Sequence, residues 1–143
     1  MLEWEINQIL LASWQRLSYK EIDKIIKTTC QTLRKHPKGI LSIAFVSERT
    51  MCFLNETYYG RKGVTDVLSF SFKTNELFGE IILCFPELKR QAKVHKHSAH
   101  QEIVILLIHG LLHLFDFDHQ TLLQKHRMEK KEQEIFNNLS IVF

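Results

Sequence analysis

The fold is decided by residues 103–119, which read IVILLIHGLLHLFDFDH. The first six residues of this stretch are all apolar, a pattern that favours a helix buried in the core. His109 and His113 follow, four residues apart, so their imidazoles lie one turn apart on the same face of such a helix. We therefore predict a buried helix over about residues 99–114, with a turn of the chain directly after it.

A third histidine follows this helix. His119 comes six residues after His113, which leaves enough chain for a turn to bring its imidazole back to the first two. Three neutral imidazoles and one open position form the standard ligand set of a catalytic zinc site. Burying several unpaired imidazoles is costly, and metal ligation removes that cost. The sequence therefore predicts a metal site at His109, His113 and His119 rather than a core helix with incidental histidines.

The same histidine spacing occurs in metzincin proteases, where a glutamate after the first histidine acts as general base. Here that position is Gly110, which has no side chain to accept a proton. A metzincin-like hydrolase of another substrate class stays an alternative, but it lacks its key residue.

The stretch from His109 to His119 resembles the signature H-G-x-L-H-L-x-G-[YF]-D-H of the YbeY family, bacterial metal-dependent endoribonucleases that mature ribosomal RNA. Two further blocks are similar to the family, at residues 65–70 (TDVLSF) and 79–82 (GEII), and the resemblance covers about residues 40–137. It implies a zinc-dependent, single-strand-specific endoribonuclease, active in the cytoplasm in 16S rRNA 3′ end processing and ribosome quality control.

The resemblance also implies the cofactor and the partners. We expect one Zn²⁺ per chain, a single-stranded RNA or rRNA precursor as substrate, and the ribosome, with ribosomal proteins, as a partner. Neither DNA nor a membrane is expected. A non-catalytic, zinc-containing RNA-binding factor of the ribosome stays a further alternative, in which the zinc is structural and its fourth position is closed by Asp116 or Asp118.

Two candidate catalytic residues follow from the resemblance: Asp118, which lies within the motif, and Arg61, which lies two residues after the position where the family has arginine. Asp118 precedes the third histidine and either orients an imidazole or is an exposed loop acid or the N-cap of the last helix. In the family pattern N-x-x-Y-R, the arginine is suited to hold the scissile phosphate bidentately. Asn55 and Tyr58 match this pattern, but Tyr59 stands at the arginine position. Arg61, in a glycine-flanked loop, either takes over this role or is a solvated loop residue.

The other blocks supply candidates for substrate binding. Asp66 and Ser69 are predicted to line the cleft, although a carboxylate beside an apolar strand also has a structural role when it is hydrogen-bonded. Glu80 stands where the family has aspartate and is expected to be an ordinary strand residue. Lys93 and Lys96 are the candidates for contacts with the RNA backbone, which need positive charge rather than sequence-specific groups.

The two lysines belong to a basic stretch, residues 89–100, that also contains His95, His97 and His100. No acidic or cysteine partner is evident near these histidines, so a solvated helix face is favoured over a second metal site. A phosphate-binding rim is the next alternative.

The turn between His113 and His119 needs a residue with positive φ, where the family has glycine. Asp116 stands at that position. We predict that it ends the helix in the left-handed conformation; the alternative is that it lies near the metal and alters the charge there.

Periodicity along the rest of the chain predicts one α+β domain over residues 1–143, with a small mixed sheet of about four strands and about five helices. Strands are predicted at residues 2–6, 40–46, 67–72 and 80–85, the last two as an antiparallel pair. Helices are predicted at about residues 18–36, 47–58, from 86 onward, 99–114 and 120–138.

Composition bounds the function only loosely. The chain of 143 residues is 45% hydrophobic and 24% charged, which is ordinary for a globular domain and excludes a disordered chain. A net charge of +3 mildly favours an anionic partner. No signal-peptide pattern or membrane-length apolar run is present. The three cysteines lack a C-x-x-C pair and are predicted to be reduced core residues of a cytosolic protein.

Overall fold

A four-stranded mixed sheet forms the centre of the molecule. The computed structural model describes residues 2–139. The strands are β1 (Glu3–Asn7), β2 (Ile40–Phe45), β3 (Val67–Ser71) and β4 (Leu77–Leu83), in the spatial order β1-β2-β4-β3. Strands β1, β2 and β4 run parallel to one another, whereas β3 and β4 form an antiparallel pair at one edge.

Five α-helices are packed around the sheet within residues 2–139: α1 (Tyr19–Leu33), α2 (Glu48–Tyr59), α3 (Phe85–His95), α4 (Ala99–Leu114) and α5 (Leu122–Leu139). A short 3₁₀ helix, Ser13–Gln15, precedes α1. The hydroxyls of Ser18, Ser47 and Ser98 cap α1, α2 and α4 by accepting a backbone N–H three residues later. Pro86 lies in the first turn of α3, where its missing N–H costs nothing.

The main core lies on one face of the sheet, and α4 is its central element. Ten of the sixteen residues of α4 are buried. Ile43 and Ile81 are register partners on β2 and β4 and are at most 1% exposed, because alternate strand residues point to the same face. A smaller cluster on the other face joins α2 to the β3–β4 pair through Met51, Leu68, Ile82 and Cys84.

Two glycines allow α4 to lie close to the sheet. A Cβ at Gly110 would lie 3.1 to 3.2 Å from three side-chain atoms of Ile81. A Cβ at Gly79 would lie 2.8 and 2.9 Å from the methyl groups of Leu114 and 3.0 Å from the carbonyl oxygen of Phe70. These spacings are tighter than a well-packed interior normally allows. The absence of a side chain at both positions therefore sets the distance between the histidine helix and β4.

The architecture confirms the predicted α+β fold, with a mixed four-stranded sheet and five helices in the described part of the chain. Helix α1 ends earlier than predicted, at Leu33, because Arg34 adopts a left-handed φ of 55°. Strand β4 begins at Leu77 instead of Glu80, since Leu77 already pairs with Ile40 of β2.

The cysteines follow their prediction only in part. All three are free thiols, and Cys84 is buried as expected. Cys30 is half-buried and packs against the main core, whereas Cys52 is half-buried and belongs to neither core cluster of residues 2–139, so only the assignment of Cys52 to the core is wrong. Along residues 2–139, no helix combines the length and the apolar character that crossing a membrane requires.

Candidate metal centre

Three imidazoles converge at the C-terminal end of α4. His109 and His113 lie one turn apart on the helix, with ring centroids 4.6 Å from each other. The ring of His119 returns to within 5.1 Å of His113 and 5.8 Å of His109. The Nε2 atoms of His109 and His113 are 3.1 Å apart, and one nitrogen from each of the three rings lies within 4.8 Å of the other two. The structure thus brings together the three histidines that the sequence singled out.

The turn that returns His119 depends on Asp116. Its φ of 71° confirms the prediction that it adopts the left-handed conformation in place of glycine. Its backbone N–H donates to the carbonyl oxygen of His113 at 3.0 Å. Its carboxylate pairs with Lys73, in the connection between β3 and β4. The charge of Asp116 is therefore paired with Lys73, outside the histidine cluster. The alternative prediction, that Asp116 lies near the metal and alters the charge there, does not match this arrangement.

Glu132 of α5 holds the first imidazole in place. Its Oε1 lies 2.8 Å from Nδ1 of His109, and the two side chains are only 26% and 28% exposed. With the proton on Nδ1, the lone pair of Nε2 points toward His113, the arrangement that a metal-binding histidine needs. Sequence reasoning missed Glu132. A signal was present, because Met128, Ile135 and Leu139 form the buried face of α5 and Glu132 falls on that same face.

Asp118 fixes the backbone before the third imidazole. Its Oδ1 accepts the backbone N–H of His119 at 2.7 Å. The alternative that it caps α5 is wrong, since Thr121 and Gln124 form a reciprocal capping box there. Glu132, and not Asp118, is the carboxylate found at a ring nitrogen of His109.

The electrostatics keep His113 neutral. Its partial burial lowers its pKa, because a charged imidazolium loses hydration there. Positive charge on His109 or His119 lowers the pKa of His113 further, which outweighs the opposite effect of Asp118. A neutral His113 has a lone pair available for a metal ion.

The donor set suits a zinc ion. Zinc binds imidazole nitrogens at about 2.0–2.1 Å, and a tetrahedral arrangement then places two such nitrogens about 3.3–3.4 Å apart. The 3.1 Å separation of the two Nε2 atoms is close to that value. Within residues 2–139, this ligand group contains the three histidines and neither a carboxylate nor a thiolate. A zinc ion held by these three imidazoles would have one coordination position left for water or substrate.

Comparison with known proteins identifies the family. A model of the family described as Endoribonuclease YbeY matches residues 8–140. The chain belongs to the YbeY family. A relative named Endoribonuclease YbeY from Mycoplasmopsis synoviae is 32% identical over 130 residues, which cover 85% of this chain and 84% of the relative. Another of that name, from Ureaplasma parvum serovar 3, is 31% identical over 141 residues, which cover 96% and 89%.

A solved structure supports the fold. The solution structure of TM1509 from Thermotoga maritima superposes with a TM-score of 0.62, at 21% sequence identity, over 97% of this chain and 89% of that chain. All three histidines of the cluster lie inside the residues that the YbeY family model matches.

The loop after α2, where the chain departs from the YbeY motif, is connected to the histidine helix through a series of contacts. The guanidinium of Arg61 lies 5.9 Å from the centre of the Tyr59 ring. The Tyr59 hydroxyl donates to the carbonyl oxygen of Ser69 at 2.6 Å, and the Ser69 hydroxyl donates to the carbonyl oxygen of Gly110 at 3.4 Å. Tyr59, which occupies the arginine position of the YbeY motif, thus joins Arg61 to the segment beside His109.

The other predicted substrate-binding residues make no contact with the cluster that the structure records within residues 2–139. Asp66 is half-buried just before β3, where the Thr65 hydroxyl contacts its carboxylate at 3.5 Å. Lys93 and Lys96 are exposed at the end of α3. From the start of α4 to His109 the helix rises about 15 Å, so the structure does not bring these lysines to the histidines.

The basic stretch has acidic partners, contrary to the prediction. Carboxylates pair with several of its members: Glu48 and Glu87 with Arg90, Glu21 with His100, and Glu102 with His95. The prediction was wrong for two of the histidines. Glu102 lies seven residues after His95 and reaches it across the turn between α3 and α4, and Glu21 reaches His100 from α1.

Proposed function

We propose that this chain is a zinc-dependent endoribonuclease that cleaves single-stranded RNA, with a ribosomal RNA precursor as substrate. The convergence of His109, His113 and His119, without a fourth protein ligand in their group within residues 2–139, carries this proposal. The relatives that share most of the chain's length are named Endoribonuclease YbeY, which supports an RNA substrate.

In this mechanism, His109, His113 and His119 hold one Zn²⁺ per chain. Such an ion supplies Lewis acidity, which lowers the pKa of a water molecule and polarises a phosphate oxygen. Glu132 keeps the proton of His109 on Nδ1, so that Nε2 stays free for the metal. Asp118 acts through the backbone N–H of His119 and limits the movement of the third ligand.

Arg61 provides positive charge for the scissile phosphate in the proposed site. A guanidinium binds two phosphate oxygens at once, and the ring of Tyr59 restrains it from one side. Ser69 and Asp66 belong to the same cleft in the proposal. Lys93 and Lys96 serve a different part of the RNA, because contacts with its backbone require only positive charge along the path of the strand.

We further propose a role in 16S rRNA 3′ end processing and in ribosome quality control. The expected setting is the cytoplasm, and the expected partners are the ribosome and ribosomal proteins. Membership of the YbeY family supports this setting.

The two alternative functions are less well supported by the geometry. A side chain at position 110 would point at Ile81, so the glutamate of a peptidase would meet the core there. A structural zinc site would need a fourth protein ligand. The two candidates are engaged elsewhere, Asp116 with Lys73 and Asp118 with the backbone of His119.

The test is cleavage of a labelled single-stranded RNA by the zinc-loaded protein. A His113→Ala variant removes one ligand, and a His126→Ala variant removes an exposed histidine of α5 as the matched control. We expect cleavage by the parent and by His126→Ala, and none by folded His113→Ala. Equal cleavage by all three would point to a contaminant and refute the mechanism. Zinc binding without cleavage by the parent would favour the non-catalytic RNA-binding factor.

A further inference from the structure

A second group of metal-ligand side chains lies where α3 turns into α4. One ligand atom from each of His95, His97 and Glu102 lies within 4.8 Å of the other two. His95 is the last residue of α3, His97 lies in the turn, and Glu102 is in the first turn of α4. None of these residues belongs to the cluster of His109, His113 and His119.

Glu102 is the unusual member of this group. Its side chain is only 2% exposed, although burial of a carboxylate is costly unless partners compensate for the lost hydration. Its two oxygens lie 3.1 and 3.4 Å from the same atom, Nδ1 of His95. An ionised carboxylate offers about four lone-pair positions, and one imidazole N–H shared between two oxygens fills few of them. The carboxylate of Glu102 therefore has further acceptor positions with which a cation could be bound.

The backbone of the turn positions all three side chains. Lys96 ends α3 with a left-handed φ of 60°, and the backbone N–H groups of Lys96 and His97 return to carbonyl oxygens of the last turn of α3. Ser98 then caps α4 and starts the next helix at once. This tight reversal places the rings of His95 and His97 5.8 Å apart, beside Glu102.

We propose that His95, His97 and Glu102 bind a second divalent transition-metal ion of the zinc class. Two imidazoles and one carboxylate are an established ligand set for such ions. Bonds of about 2.0–2.2 Å place tetrahedral ligand atoms about 3.2–3.5 Å apart, and His95 Nδ1 and Glu102 Oε1 are already 3.1 Å apart. The ion takes the place of the proton between these two atoms. A neutral His95 then carries its one proton on Nε2, whereas a protonated His95 releases one proton to solvent.

The site is accessible to an ion. The side chain of His95 is 50% exposed. His97 lines a groove of about 370 Å³ between α4 and α5, together with Gln101 and Ile105. The three protein ligands leave one position for water, and the ion joins the end of α3 to the start of the helix that carries His109 and His113. The proposal of this second site does not rest on the proposed RNA cleavage.

Metal content after equilibration with Zn²⁺ and dialysis tests the proposal. We expect two ions in the parent and in the control His126→Ala, and one ion each in His113→Ala and His97→Ala. The double variant, with both His97→Ala and His113→Ala, should bind none. Circular dichroism verifies the fold of each protein. His95→Ala, at an exposed position, replaces His97→Ala if that variant does not fold. An unchanged zinc content in both His97→Ala and His95→Ala would overturn the proposal and leave an ordinary hydrogen-bonded pair.

A second measurement tests the second site in a chain that lacks one ligand of the first cluster. In the His113→Ala chain, added Zn²⁺ should raise Tm, because a ligand that binds only the folded state stabilises it. Glu102→Gln keeps a side chain able to hydrogen-bond His95 but removes the ligand charge, so in this background it should reduce the Zn²⁺-dependent rise. A Tm that does not respond to Zn²⁺ in His113→Ala would refute the second site.

Discussion

Removal of the Glu132 carboxylate should weaken zinc binding although no zinc ligand is removed. The carboxylate lies 2.8 Å from Nδ1 of His109, and both side chains are about three-quarters shielded from solvent. Hydrogen bonds to charged groups contribute about 1.5–3 kcal/mol, against about 0.5–1.5 kcal/mol for neutral pairs. Glu132→Gln retains an accepting oxygen and loses the charge, so we expect a loss of about 1 kcal/mol, or roughly fivefold in zinc affinity.

Glu132→Ala removes the contact altogether. Loss of an outer carboxylate from a metal-bound histidine typically reduces metal affinity by about 10- to 100-fold, and we expect a value in that range. We therefore expect zinc affinity to fall in the order parent, Glu132→Gln, Glu132→Ala, because the Gln variant keeps a weaker hydrogen bond to His109 and the Ala variant keeps none.

Competition with a chromophoric zinc chelator, at fixed pH and ionic strength, measures these affinities. The His97→Ala chain is the suitable background, since it restricts binding to the first cluster. Glu134→Gln, on the same helix, makes the same charge change and is the matched control; Glu134 pairs with Lys131. Zinc affinity of Glu132→Ala within about twofold of the parent would refute the orienting role, against the larger effect expected for such partners. An equal loss of zinc affinity in Glu134→Gln and Glu132→Gln would show that the loss comes from the change in net charge.

Three further predictions concern the surrounding structure. Gly79→Ala should lower the free energy of unfolding in urea by about 1–3 kcal/mol, because the added methyl group would overlap Leu114 and the backbone of Phe70; an unchanged midpoint would contradict the close packing. Burial raises the pKa of the Cys30 thiol from 9.0 to about 11. At pH 8 the fraction of Cys30 present as thiolate is therefore about a hundredfold smaller in the folded protein than in urea. Alkylation of Cys30, measured by mass spectrometry, should be slower by the same factor in the folded protein. Equal alkylation rates in the two conditions would contradict this prediction. Asp116→Val should lower the free energy of unfolding by about 1–2 kcal/mol, because a β-branched residue is strained at φ 71°. Asp116→Gly should leave the free energy of unfolding within about 0.5 kcal/mol of the parent. Equal losses in the two variants would exclude backbone strain as the cause.

Local patterns were sufficient for the elements of the fold and for the choice of the three histidines. The hydroxyls of Ser18 and Ser47 cap the helices that they were predicted to begin, because capping involves residues three positions apart. The spacing of His109 and His113 implied a shared helix face for the same kind of reason. Asp116 was predicted to have positive φ, since the turn itself demanded it.

Contacts between distant residues could not be obtained in this way. Glu132 lies 23 residues from His109 in the chain, and nothing in the local sequence states that α5 delivers its carboxylate to that ring. Glu102 lies seven residues after His95, and it was overlooked as a partner because only the three-dimensional path of the turn between α3 and α4 brings the two side chains together. Gly110 entered the sequence argument only as a missing base, while the structure gives it a packing role against Ile81.

The sequence by itself determined the helices and strands, the α+β class and the three imidazoles at the end of a buried helix. These features depend on periodicity, caps and turn conformation, which act between residues within a few positions of one another. The tertiary structure alone decided the strand order β1-β2-β4-β3, the orientation of His109 by Glu132 and the meeting of His95 with Glu102. Each of these depends on packing between separate elements, where burial and close contact select among arrangements that local preferences leave equal.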